Sequence, residues 1–146
     1  MATLHSDALN PQFVGNYQPG ANEEFMNSEQ LAYFRQKLLA WKDSIVRESR
    51  ETMAALANGP IQEADLTDRA SSETDWGIHL RTRDRQRKLI SKIDSALHRI
   101  ETGEYGFCEV TGEPISLARL EARPIATMTV EAQERHERNE RVSRDD

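Results

Sequence analysis

Apolar residues recur at steps of three and four along two stretches of the chain. In the first, Leu31, Phe34, Leu38, Trp41 and Ile45 form a coiled-coil seam that weakens through Glu48, Thr52 and Ala55. It stops at Asn58-Gly59-Pro60, where glycine can cap a helix and proline cannot continue one. The start is marked as well. Asn27 stands at the N-cap with Gln30 at N3, and Met26 can pack on Leu31 as a hydrophobic staple. The pattern predicts a helix from Ser28 to Ala57, roughly 45 Å long. The second seam is strong late, at Ile90, Ile93, Leu97 and Ile100, and runs back in heptads to Arg83 and Trp76, with Leu80 and Leu89 beside it. This predicts a helix from about Thr67–Ser72 to Glu101, ended by Gly103. Trp41 and Trp76 read as seam residues. Two helices of similar length joined by a short linker fold back as an antiparallel hairpin.

Outside the two seams the pattern changes. Residues 1–27 hold Asn10-Pro11, Gly15 and Pro19-Gly20 and read as an irregular arm, with Phe13, Val14 and Tyr17 as anchors onto a core. The hairpin occupies residues 28–101, with its tip at 60–71. Residues 102–130 form a small globular end, in which Tyr105 to Ile115 reads as a tight turn system or small β-hairpin. Leu117, Leu120, Ile125, Met128 and Val130 can close a miniature core there. Residues 131–146 are almost wholly charged and read as a helix that frays into a tail. The expected fold class is mainly α: a long antiparallel coiled-coil hairpin with a small globular end and a C-terminal helix.

Composition narrows the function. The chain has 146 residues, 37% hydrophobic and 30% charged, so its core is lean and its surface large. A formal net charge of −6 argues against general nucleic-acid binding, which needs a basic footprint. One cysteine, Cys108, allows neither an intrachain disulfide nor a thiolate zinc cage. No charged-then-apolar leader and no run of membrane length is present, and a soluble cytoplasmic protein is expected.

Two clusters carry candidate chemistry. The linker and start of the return helix hold Glu63, Asp65, Asp68, Glu73 and Asp75 against one base, Arg69. Asp65 and Asp68 at a hairpin tip can bind a cation, meet a basic partner or cap a helix. Acid–base catalysis is disfavoured, because a tip offers little burial to shift a pKa. The second cluster is Arg81, Arg83, Arg85, Arg87, Lys88, Lys92 and Arg99, against Asp84 and Asp94. It is either a solvated face or an anion site built where Lys92 meets an arginine of the globular end, Arg119 or Arg123. Cys108 reads as a small core hydrophobe, and His79, His98 and His136 are too scattered for a metal.

Several ordered motifs make the chain similar to the DksA/TraR family of bacterial RNA polymerase regulators over roughly residues 22–135. They are Glu24-Phe25-Met26-Asn27 with Gln30-Leu31-Ala32, Asp65-Leu66-Thr67-Asp68-Arg69-Ala70, and Arg83-Asp84-Arg85 with Arg87-Lys88-Leu89-Ile90. Gly106-Phe107-Cys108-Glu109 and Arg119-Leu120-Glu121-Ala122-Arg123-Pro124 continue the series. The resemblance implies a coiled-coil hairpin on a globular end that enters the secondary channel of RNA polymerase, without contacting DNA. Asp65 and Asp68 would be the tip carboxylates, accompanied by Ala70. Arg81, Arg85 and Arg119 would contact the polymerase. Guanosine tetraphosphate, the co-regulator, would lie against Leu89, Lys92 and Arg123.

Two departures from the family pattern matter. Where the family holds zinc with four cysteines, this chain has Cys108, Thr111, Thr129 and Ala132, so no zinc and no permanently bound cofactor is expected. Gln133 stands where a lysine contributes to the nucleotide site. The implied function is non-enzymatic: a monomer that alters the lifetime of promoter complexes. One alternative is a transcript-cleavage factor whose tip carboxylates help hold a second catalytic metal. Another is a plain coiled-coil adaptor, and a stand-alone metal-dependent hydrolase lacks the further ligands it needs.

Overall fold

The computed structural model describes residues 17–20, 22–58 and 66–145, apart from the side chains of residues 66–69, 72, 144 and 145. The fold is mainly α. Helix α1 spans Ser28–Ala57, α2 Leu66–Thr102, α3 Leu117–Ala122 and α4 Val130–Asp145. α1 and α2 form an antiparallel helical hairpin. Among the described residues the β structure is a single antiparallel bridge between Phe107 and Pro114. Phe13, Val14, Gly59-Pro60 and Asp65 lie outside the described residues.

The chain divides into two compact units, Leu39–Asp94 and a second made of Met1–Leu38 with Ser95–Asp146. In the first unit, two contacts fix how the helices pair. Lys42 Nζ donates to Asp94 Oδ1 at 2.6 Å, and Trp76 Nε1 donates to the Leu56 carbonyl at 3.5 Å. Among the described residues the buried ones here are Ile45, Thr52, Gln86 and Ile93. The expected return seam is therefore only partly right. Ile93 is fully buried, but Ile90 and the heptad positions Arg83 and Trp76 are only half-buried. The heptad that is buried passes through Gln86 and Ile93, and a polar glutamine is invisible to an apolar-spacing argument.

The second unit is packed around Phe34, Leu38, Ile115 and Leu120, all fully buried, with Ala96, Tyr105, Cys108, Ile125, Ala126 and Ala132. Aromatic edges link its parts. Tyr17 stacks edge-on to Tyr33, Tyr33 to Phe34, and Phe25 to Phe107. Tyr105 donates its hydroxyl to the Pro124 carbonyl at 2.7 Å, and burial pushes its pKa well above the ordinary tyrosine value. Tyr17, at the described end of the arm, meets Tyr33 of α1. Val130 is not part of the core: it opens α4 and is 45% exposed. α4 also stays helical to Asp145, rather than fraying after its first turns.

The start of α1 departs from the simple capping box. Asn27 Oδ1 accepts from the Gln30 N–H at 2.8 Å, as an N-cap should. Gln30 Oε1, however, accepts from the Met26 N–H at 2.6 Å, one residue earlier than the box prescribes, and Gln30 Nε2 donates to Glu23 Oε2. Met26 takes a positive φ of 55°, and its side chain covers Gly106. A Cβ at Gly106 would stand 2.9 Å from Met26 Cγ, and Gly106 itself has a φ of 90°, so space and backbone both require glycine there. The helix therefore begins by clamping the arm to the loop that follows α2.

Candidate functional site

On α2, Arg81, Arg85, Lys88 and Lys92 recur at steps of three and four and so share one face. All four are exposed, and none makes an ion pair or hydrogen bond with another described residue. Other cations are engaged: Lys37 with Glu121, Lys42 with Asp94, Arg47 with Asp43, and Arg35 with Glu101. Like charges four residues apart on a helix repel, at about 0.2–0.5 kcal/mol per pair. An unneutralised row of four is a ready surface for an anionic partner. Leu89, beside this row, is half-buried.

The tip lies at the start of α2. Asp68 and Ala70 belong to the helix, with Asp68 in its first turn. The expected tip at 60–71 is thus helical from Leu66 onward. Ala70 is exposed.

In the other unit, Arg119 and Arg123 sit on and just after α3. Arg119 is half-buried and its Nε donates to the Met128 carbonyl at 2.8 Å, which holds the loop into α4. Arg123 caps α3 through its backbone N–H to the Arg119 carbonyl, and its exposed side chain meets no described partner. Gln133 is half-buried and donates from Nε2 to Glu137 Oε1 at 3.1 Å. Sequence reasoning missed the clamp at α3: Glu121 accepts from both the Tyr33 hydroxyl and Lys37 Nζ, and Lys37 also reaches the Glu121 carbonyl at 3.0 Å. Burial and the Glu121 carboxylate raise the Tyr33 pKa to about 12. Burial opposes ionisation of Glu121, but the Lys37 and Tyr33 donors outweigh it and hold that carboxyl below its usual range. These residues are over eighty positions apart, and no local pattern announces the pairing.

The four positions around Cys108 each have a role among themselves. Thr111 Oγ1 accepts from the Glu113 N–H in the turn, while its hydroxyl and backbone N–H face the Cys108 sulfur, together with the N–H groups of Thr129 and Val110. Thr129 is the cap of α4: its Oγ1 accepts from the Ala132 N–H at 3.2 Å and its carbonyl from the Gln133 N–H at 2.9 Å. Ala132 is buried. Burial pushes the Cys108 thiol up, yet the surrounding donors prevail and bring its pKa down from 9.0 to about 7.

Residues 30–100 match the family described as DnaK suppressor protein DksA, N-terminal domain, and residues 103–138 match that described as prokaryotic dksA/traR C4-type zinc finger. The RNA polymerase-binding transcription factor DksA of Caulobacter vibrioides is 70% identical over 131 residues, which cover 90% of this chain and 92% of the relative. The protein of the same name from Escherichia coli K12 is 40% identical over 118 residues, 81% of this chain and 78% of the relative. Among solved structures, transcription factor DksA2 from Pseudomonas aeruginosa superposes with a TM-score of 0.73 at 39% identity, over 89% of this chain and 97% of that one. The chain belongs to the DksA family.

A C4-type zinc finger implies a metal on four thiolates. The residues present do not fit it. One thiol, two threonine hydroxyls and an alanine methyl occupy the four positions, and the Thr129 hydroxyl already serves as a helix cap.

Proposed function

We propose that this protein is a transcription regulator that binds RNA polymerase and acts by contact rather than catalysis. The observation that carries the reading is the unneutralised row Arg81, Arg85, Lys88 and Lys92, in a chain 70% identical to a relative named for binding RNA polymerase. Arg81, Arg85 and Arg119 dock on the polymerase around its secondary channel, and the hairpin enters without touching DNA. Asp65 and Asp68, with the small Ala70 beside them, bring negative charge to the catalytic machinery and change the lifetime of promoter complexes. Guanosine tetraphosphate binds against Leu89, Lys92 and Arg123 and strengthens the effect by preferring the docked arrangement. Gln133 supplies no charge there, so the nucleotide is held less tightly than a lysine would allow. The protein works as a monomer in the cytoplasm, and no described helix is long and apolar enough to cross a membrane.

The end around Cys108 holds no zinc in this reading. The Thr111 and Thr129 hydrogen bonds and the packing of Ile115, Leu120 and Ala132 do the structural work of the ion.

The test is transcription from a ribosomal RNA promoter with purified polymerase. Wild type and Asp68→Asn are compared with and without guanosine tetraphosphate, and polymerase binding is measured beside them. The expected result is inhibition by the wild type, enhanced by the nucleotide, and an Asp68→Asn protein that binds but does not inhibit. Loss of binding together with inhibition would count against the tip as effector. Normal inhibition by the mutant would favour a plain adaptor.

A further inference from the structure

The unit Leu39–Asp94 has an inverted distribution of polarity along the hairpin. At its one end the seam is apolar: Ile45 is 4% exposed and Ile93 fully buried, and Lys42 pairs with Asp94 alongside. Farther along, the buried positions are polar, Thr52 at 8% and Gln86 at 6%. The large apolar side chains of that farther part point outward, with Met53 at 52%, Ile78 at 46% and Leu80 at 36% exposed.

The pairing places the two polar residues close together in the seam. Interpolating between the Lys42–Asp94 and Leu56–Trp76 contacts puts Gln86 opposite residues 46–50, about one helical turn from Thr52. Neither residue makes a hydrogen bond to the opposite helix among the described residues. The Thr52 hydroxyl turns back to its own helix, to the Glu48 carbonyl at 3.1 Å. Gln86 Oε1 is buried and meets no donor among the described residues. At and beyond this level the described half-buried residues are Ala55 and Leu56 on α1 and Trp76, Gly77, His79, Thr82 and Arg83 on α2, with the Trp76 bond to a carbonyl.

A segment with few buried apolar contacts opens at low free energy. We propose that Thr52 and Gln86 form a built-in break in the hairpin, beyond which the two helices open as a separate unit while Ile45 and Ile93 keep the rest paired. The break is a conformational device of this chain and does not depend on what the hairpin binds.

Residue-resolved amide hydrogen exchange on the full-length protein tests this. The proposal predicts a step: amides of residues 50–57 and 73–84 exchange together, about ten-fold or more faster than those of residues 39–48 and 88–94. Simple end fraying predicts instead a smooth decline of protection toward residue 57. Gln86→Leu places an aliphatic group in the seam and should slow exchange in the far part about ten-fold without changing the near part. Thr52→Val, which removes the other polar group with little change of shape, should act in the same direction. A smooth gradient in the wild type overturns the proposal. So does a uniform change across both parts in either variant, or no change in both.

Discussion

Cys108 sits between opposing influences, and their balance can be read out directly. Burial disfavours the thiolate, while the Thr111 hydroxyl and the N–H groups of Thr111, Thr129 and Val110 favour it, leaving the pKa lowered to about 7. Since the unfolded thiol titrates near 9, the unfolded chain binds more protons between those values. The contribution to stability is therefore fully present above the unfolded pKa and is lost as pH falls through about 7. Because the chain has a single cysteine, thiolate absorbance in the ultraviolet reports this residue alone. Titration of the native protein should show a midpoint near 7, and Thr111→Val should move it upward. A midpoint at the ordinary value in the wild type would mean that the donors do not engage the sulfur. The sequence identified Cys108 as a core residue, which its burial supports. It gave no sign of the donors, because two of the three residues supplying them act through backbone groups that every sequence carries.

At the scale of elements, the helix ends are where sequence and structure agree most closely. Asn27 caps α1 as its position suggests, so Asn27→Ala should lower stability by about 1 kcal/mol. A thermal melt should register this as a fall of about 3 °C, and Asn27→Asp should recover most of it. An unchanged melting temperature for the alanine variant would show that Gln30, bonded to Met26 and Glu23, holds the helix start alone. α1 has its predicted bounds, because its capping residues and apolar spacing are both local signals. The return seam was less legible: Gln86 is buried and Ile90 only partly so, since burial there depends on how α1 meets α2 rather than on α2 itself. Val130 departs from its apolar pattern for a related reason. An apolar residue next to a cap belongs to the solvent side when Thr129 must face inward to hold the helix start. The Tyr33–Lys37–Glu121 clamp was not legible at all, because it joins distant segments through single side chains.

For the whole molecule, bulk composition and local structure give different answers. A net charge of −6 discourages a nucleic-acid reading, yet it conceals a row of four cations on α2 that have no ion-pair partner among the described residues. The same contrast governs the metal question. Positions 108, 111, 129 and 132 keep the spacing of two Cys-x-x-Cys pairs, and the zinc-finger family matches across them. Structural zinc holds a small domain together only when its ligands are thiolates or imidazoles, and its removal then unfolds the domain. Here a capped helix, a turn closed on Thr111 and a core of fully buried Ile115 and Leu120 occupy the same residues. The expected outcome is that the purified protein carries no stoichiometric zinc and that a strong chelator leaves its melting temperature unchanged. Elemental analysis together with melts in the presence and absence of chelator decides it. One zinc per chain, with a chelator-induced loss of several degrees, would require ligands from outside these four positions and would reverse the account of how this end is held.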